Sequence, residues 1–86
     1  MNFKVFISKP AQKFLASCDK HVSKRILEKV NFVLPFNPVP HDSKRMLGEQ
    51  GVFRLRIGKY RVIYSVEYSE EKIIILEIGK RENVYS

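Results

Sequence analysis

The feature that most constrains the fold is a pair of strand-like segments joined by only two residues. Apolar and cationic side chains alternate in residues 52–57, and residues 60–68 form a second segment rich in β-branched and aromatic residues. Gly58-Lys59 between them has the Gly-X pattern of a type II′ hairpin turn. Because such a turn fixes the register, we expect Arg56 to lie directly opposite Arg61.

This register sorts the side chains of the hairpin onto two faces. One face holds an apolar set that we expect to lie under helices, namely Phe53, Leu55, Ile57, Tyr60, Val62 and Tyr64. The other face holds Arg54, Arg56 and Arg61. Directly opposed like charges destabilise a sheet, and a bound polyanion would offset the repulsion. The alternative interpretation is a solvated face on which long arginine side chains splay apart and water screens their charges.

The remaining segments complete the expected fold. Residues 3–7 are β-branched and aromatic and predict a buried strand. Ser8 and Asp19 are suitable N-caps for two helices with apolar stripes, which a short turn joins into a hairpin. A proline-rich loop covers residues 36–51, and residues 72–78 form the most apolar strand, expected at the centre of the sheet. The order β-α-α-β-β-β predicts a single α+β domain over residues 1–86, with the helical hairpin on one face of a small, mostly antiparallel sheet.

The last strand decides on which face the C-terminal residues emerge. If Ile74, Leu76 and Ile78 face the helices, Arg81 comes out on the same side as the other arginines. Tyr85 follows four residues later and is near enough to fold back over that face.

The charge balance favours a polyanionic partner. Sixteen Lys and Arg against nine Asp and Glu leave a net charge of +7. Residues 44–61 hold six cations and a single acid, Glu49. A basic groove with aromatic side chains at its rim is typical of nucleic-acid sites. The candidate RNA-binding residues around the three arginines are Lys44, Arg45, Lys59 and Lys80.

Several other kinds of site are disfavoured. A single cysteine, Cys18, excludes an internal disulfide and a thiolate zinc cluster, and with no signal peptide it predicts a cytoplasmic location. The longest apolar run, residues 73–76, is too short for a membrane span. Neither His21 nor His41 has a partner at ligand spacing, so we expect no metal site. The alternative role for His41 is that of a general base.

Two stretches of this sequence resemble the RelE/ParE superfamily of toxins from toxin–antitoxin pairs. Residues 53–64 read FRLRIGKYRVIY, and residues 78–85 read IGKRENVY. Together with the order of elements, the resemblance covers nearly the whole chain. The Gly-Lys-Arg-Glu ending favours RelE over ParE.

The resemblance implies a function and a set of site residues. RelE-like proteins are metal-independent endoribonucleases without a cofactor. They cut mRNA in the ribosomal A site by attack of the ribose 2′-hydroxyl and leave a 2′,3′-cyclic phosphate. The implied partners are the ribosome, mRNA and an acidic, helical antitoxin similar to RelB, with no membrane. The implied catalytic residues are Arg54, Arg56, Arg61, Arg81 and Tyr85.

The resemblance leaves the proton acceptor and two other functions open. Some relatives carry lysine where this chain has Arg54 and Arg56. A lysine can lose its proton when its pKa is lowered, whereas arginine stays protonated, so the general base is not assigned. The alternatives to a ribonuclease are a ParE-like, non-enzymatic inhibitor of DNA gyrase and an inactive relative that only binds its antitoxin.

Overall fold

The structure is a computed structural model, and it describes residues 2–80 of the chain. These residues form two helices and five strands. In chain order they are β1 (Lys4–Ile7), α1 (Lys9–Ser17), α2 (Lys20–Phe32), β2 (Ser43–Arg45), β3 (Val52–Ile57), β4 (Tyr60–Glu67) and β5 (Lys72–Lys80). The strand order in the sheet is β1-β5-β4-β3-β2. Strand β1 is parallel to β5 and the other neighbours are antiparallel, so the predicted mostly antiparallel α+β fold is confirmed.

Both helices begin where the sequence indicates. The Ser8 side chain accepts a hydrogen bond of 3.3 Å from the backbone N–H of Ala11 and caps α1. Asp19 occupies the N-cap position of α2, although its side chain makes no capping hydrogen bond. Ser23 of α2 donates from its hydroxyl to the Leu15 carbonyl at 2.6 Å, which ties the two helices together. Neither helix of residues 2–80 is long and apolar enough to cross a membrane.

The core lies between the helical hairpin and one face of the sheet. Ile26 and Leu34 on the helical side are fully buried, as are Leu55 of β3 and Val62 of β4. The apolar face predicted for the hairpin is confirmed, because its members are buried in this core or, like Tyr60, packed against it. Strand β4 holds the middle of the sheet, and the apolar β5 is the interior strand beside it.

A β-bulge in β5 reverses the side of the sheet on which its residues lie. Ile63 of β4 pairs with Glu77, but the next residue, Tyr64, pairs with Ile75, so Leu76 is an extra residue. The prediction that Ile74 and Leu76 face the helices is therefore wrong. Fully buried Ile73 and Ile75 face the helices instead, and Leu76 is 38% exposed. Beyond the bulge the alternation is restored, and Ile78 is buried on the helix side as expected.

The loop predicted for residues 36–51 contains the short strand β2, which the sequence did not indicate. Lys44 of β2 pairs with Arg54, and Arg45 pairs with Phe53. Three residues are too few to show a strand period, so β2 forms because it can pair with the free edge of β3. Its pairing draws the end of the proline-rich loop onto the sheet.

Tyr64 connects that loop to the core. Its side chain is fully buried, and its ring stacks on Phe53 with 5.7 Å between centroids. Its hydroxyl donates a hydrogen bond of 2.7 Å to the Pro38 carbonyl. Burial raises the pKa of Tyr64 to about 12, so the hydroxyl keeps the proton that it donates.

We expect Tyr64→Phe to lower the free energy of unfolding by about 1–2 kcal/mol. The substitution keeps the buried ring but removes the donor to Pro38, whose carbonyl then lacks this partner. Urea denaturation of both proteins measures the difference. The matched control is Tyr68→Phe, since Tyr68 is 60% exposed. Equal stabilities for Tyr64→Phe and Tyr68→Phe would contradict the role of the Tyr64 hydroxyl.

Candidate functional site

The face of the sheet turned away from the helices carries the cations of the hairpin. Arg56 pairs directly with Arg61, and Arg54 pairs with Ile63, as the two-residue turn predicts. Gly58 has a φ of +58°, the left-handed value required at the first position of a type II′ turn. Lys44 of β2 extends the row through Arg54. The predicted grouping of Arg54, Arg56 and Arg61 on one face is therefore confirmed.

A pocket of about 230 Å³ lies between this cationic face and the end of the proline-rich loop. We call it the cationic pocket. Its lining residues are His41, Asp42, Lys44, Arg54 and Arg56. The backbone N–H of Arg56 donates to the Asp42 carbonyl at 3.2 Å, which holds the loop against β3. The pocket thus combines two arginines and one lysine, all cationic near neutral pH, with one carboxylate and one imidazole.

The carboxylate of this pocket is already engaged. Lys29 of α2 approaches Asp42 with 2.9 Å between Nζ and Oδ2, while Oδ1 is buried without a hydrogen bond in the described residues. Burial disfavours the charged carboxylate, but the hydrogen bond and charge of Lys29, with a contribution from His41, hold the pKa of Asp42 below its usual value. Asp42 is therefore an anion at neutral pH, and its charge is shared with Lys29.

Arg61 does not line the cationic pocket, although it faces Arg56. It is only 5% exposed, and its Nη1 donates to the Lys80 carbonyl at 2.5 Å. Its guanidinium lies over Gly79, and its Nε has no hydrogen-bond partner among residues 2–80. Within those residues no carboxylate forms an ion pair with it. The side chain therefore links β4 to the end of β5, directly across the hairpin from Arg56.

The other predicted site residues are dispersed. Arg45 pairs with Phe53, so it has the opposite orientation to Lys44 in β2. Lys59 lies in the β3–β4 turn, and Lys80 pairs with Tyr60 on the helix side of the sheet. Neither Arg45 nor the two lysines line the cationic pocket. The predictions for Arg81 and Tyr85 lie outside the described residues.

A second, wider groove of about 470 Å³ continues the cationic surface toward α2. It shares Arg56 and Asp42 with the cationic pocket, and Arg25 and Lys29 line its helical side. The Arg25 guanidinium packs over the turn, where a Cβ on Gly58 would lie 2.9 Å from Nη2. Sequence reasoning missed both helical cations, because the contact between α2 and the hairpin turn leaves no local sequence pattern.

Two comparisons with known proteins identify the family. A family model described as the ParE toxin of the type II toxin–antitoxin system parDE matches residues 5–85. A protein of Methanocaldococcus jannaschii named RelE1 is 39% identical over 88 residues, which cover 99% of this chain and 97% of that protein. The chain belongs to the RelE/ParE toxin family.

Within residues 2–80 of this family member, no group of three His, Cys, Asp or Glu residues is placed to hold a metal ion.

Solved structures agree with the RelE-like fold. The crystal structure of an archaeal RelE–RelB complex from Pyrococcus horikoshii matches with a TM-score of 0.85 and 35% identity, covering 98% of this chain and 100% of that one. The toxin–antitoxin complex RelBE2 of Mycobacterium tuberculosis matches with a TM-score of 0.84, covering 94% and 100% of the two chains. Its identity of 22% supports the fold alone.

The opposed arginines of this RelE/ParE family member give a prediction about stability. Arg56→Thr removes an exposed cation that faces buried Arg61, and threonine suits a strand, so we expect a gain of up to about 1 kcal/mol in unfolding free energy. Arg45→Thr is the control, since Arg45 pairs with uncharged Phe53 and its loss relieves no opposed cation. Chemical denaturation of both variants checks this, and a clear loss of stability in Arg56→Thr would show that Arg56 makes a stabilising contact instead.

Proposed function

We propose that this RelE/ParE family member is a toxin that cleaves mRNA in the ribosomal A site. The observation that carries the proposal is the cationic pocket, which Lys44, Arg54 and Arg56 line together with a carboxylate already paired with Lys29. Such a pocket has an excess of positive charge and suits an RNA phosphodiester. The 39% identity to the toxin RelE1 of M. jannaschii supports the role of a RelE-like toxin, for which the family resemblance implies mRNA cleavage.

In the proposed reaction, the 2′-oxygen of the ribose attacks the adjacent phosphorus and the 5′-oxygen of the next nucleotide leaves. Negative charge builds up on the phosphoryl oxygens in the transition state. Fixed guanidinium groups stabilise this charge without having to reorganise during the reaction. Half-buried Arg54 and exposed Arg56 are the pocket arginines suited to this task. Their forked donors also match two phosphate oxygens at once, which aligns the phosphate for in-line attack.

Arg61 takes a different role from that implied by the family resemblance. Because it is 5% exposed and bound to the Lys80 carbonyl, we infer that it acts as a positioning residue across the hairpin from Arg56. It fixes the end of β5, from which the chain continues to Arg81. We propose that Arg81 neutralises the scissile phosphate and that Tyr85 stacks on a base or orients the ribose. Lys59 and Lys80 remain proposed contacts to RNA outside the pocket.

A ParE-like inhibitor of DNA gyrase is the second candidate function. The matching family model carries the description of a ParE toxin, which favours this candidate independently of the pocket. A cationic surface on a protein that binds a topoisomerase would contact the enzyme or its DNA and would perform no chemistry. The two functions therefore differ in whether RNA is cut.

The discriminating experiment uses purified ribosomes carrying end-labelled mRNA, with a gyrase–DNA assay in parallel. Under the proposed function, mRNA is cut at the A-site codon and carries a 2′,3′-cyclic phosphate end. Replacing the ribose at the cut by 2′-deoxyribose abolishes cleavage, because the nucleophile is then missing. Intact mRNA together with gyrase–DNA cleavage complexes would establish the ParE-like alternative. Intact mRNA and unaffected gyrase would indicate an inactive relative that only binds its antitoxin.

We expect Arg81→Ala to reduce ribosome-dependent cleavage by roughly 10²–10³-fold, the loss expected when one donor to a developing oxyanion is removed. Its thermal midpoint should remain close to that of the parent protein. Lys13→Ala, which removes an exposed cation from α1, is the matched control and should cut at the parental rate. Full activity of Arg81→Ala would remove this residue from the proposed site.

We further propose an acidic, helical antitoxin similar to RelB as the partner of this toxin. Solved relatives of this fold were crystallised as complexes with RelB proteins. The net charge of +7 suits an acidic partner. An apolar groove on the outer side of the helical hairpin, lined in part by Leu15, Leu27 and Phe32, suits the apolar face of a helix. Phe32 is 71% exposed on this groove.

The two surfaces should contribute to different rate constants. Charges speed the encounter, while apolar anchors slow dissociation, so raising salt should slow association with the antitoxin several-fold and change dissociation little. Stopped-flow measurements across a salt series check both rate constants. An association rate that does not change with salt would show that the cationic surface does not steer the antitoxin.

A further inference from the structure

The proposed cleavage needs a group that can accept the proton of the 2′-hydroxyl, and the arginines cannot supply it. A guanidinium stays protonated in proteins, and a lysine is normally protonated near neutral pH. Asp42 is held as an anion, but its Oδ2 is bound to Lys29 and its pKa is lowered, which makes it a weak base. Among the described residues that line the cationic pocket, His41 is the remaining candidate for the proton acceptor.

We propose that His41 is the general base of the cleavage reaction, an inference that rests on the function proposed above. The side chain is exposed and lines the cationic pocket together with Arg54 and Arg56. It therefore lies beside the groups that would hold the phosphate. Histidine is also the side chain whose ordinary pKa lies near neutrality, so it can be present as a free base while arginine remains charged.

The backbone on both sides of His41 is fixed, which an effective base requires. On one side, the carbonyl of buried Pro40 accepts two hydrogen bonds from Ser43. The Ser43 backbone N–H donates one at 3.0 Å, and the Ser43 hydroxyl donates the other at 2.7 Å. On the other side, the Asp42 carbonyl accepts from the backbone N–H of Arg56, and the Asp42 side chain binds Lys29. The loop thus presents an accessible imidazole from an anchored backbone, at the edge of strand β3.

The proton and bond changes balance without any further reagent than water. A ring nitrogen of neutral His41 takes the 2′-hydroxyl proton as the bond from the 2′-oxygen to phosphorus forms. The bond from phosphorus to the 5′-oxygen breaks, and that oxygen takes a proton from water. The products are a 2′,3′-cyclic phosphate and a 5′-hydroxyl, and the imidazolium then returns its proton to the solvent.

The charged groups around His41 come from four parts of the fold. Asp42 in the loop, Lys44 in β2, and Arg54 and Arg56 in β3 line the pocket together with His41. Lys29 in α2 pairs with Asp42, the residue next to His41. The arginines keep their charge throughout the neutral range, so the pH dependence of cleavage in this range should report the imidazole.

The test compares the parent toxin with His41→Gln and His41→Ala in single-turnover cleavage on ribosomes, from about pH 5.5 to about 8.5. Glutamine can hydrogen-bond but cannot accept a proton, so His41→Gln should cut roughly 10²-fold more slowly or worse. The parent rate should fall toward acidic pH as the imidazole becomes protonated, and His41→Gln should lack this fall. Added imidazole, in its free-base form, should restore part of the activity of His41→Ala.

His21→Gln is the matched control, since His21 is exposed in the first turn of α2 and does not line the cationic pocket. It should keep the parental rate and pH profile, and all variants should keep the parental thermal midpoint. Parental cleavage by His41→Gln, or the same acidic fall in that variant, would overturn the role of His41 and leave the ribonuclease function standing. No cleavage by the parent toxin would overturn both.

Discussion

The two-residue turn at Gly58-Lys59 is the constraint on which both the core and the candidate site depend. It sets the register in which Arg56 faces Arg61, and the same register buries Leu55 and Val62. A slip of one residue would exchange the two faces and expose the whole apolar set to water. The cations therefore cannot be moved apart by changing the register without losing the core. The repulsion between the opposed arginines is retained because the core interactions outweigh it.

The bulge in β5 determines how this repulsion is accommodated. By adding Leu76, it restores alternation so that Gly79 lies opposite Arg61. The Arg61 guanidinium can then turn away from Arg56 over a residue with no side chain and bind the Lys80 carbonyl. Arg56 stays exposed, and Arg61 is withdrawn into the sheet. A pair of equivalent residues in the sequence thus becomes one accessible cation and one structural cation.

The hairpin, the helices and the cationic face were predictable because each has a local sequence signal. Alternation in residues 52–57, a Gly-X turn and Ser8 as a cap are all read within a few residues. The bulge was not predictable, since residues 73–76 are all apolar and a continuous apolar run does not reveal which side each residue faces. Placing Ile74 and Leu76 under the helices was wrong for this reason. The burial of Arg61 follows from the bulge and could not be predicted without it.

The other half of the cationic pocket depends on contacts that are distant in sequence. His41 and Asp42 reach the pocket because the loop is held at several points by β4, β3 and α2. The Lys29–Asp42 pair is partly exposed, and such pairs contribute on the order of 0–1 kcal/mol. The Tyr64 hydroxyl is buried in the core, so its bond to the Pro38 carbonyl is the stronger constraint on the loop. The position of the imidazole beside the arginines is therefore set mainly by the core, through Tyr64, and only secondarily by the charges around the pocket.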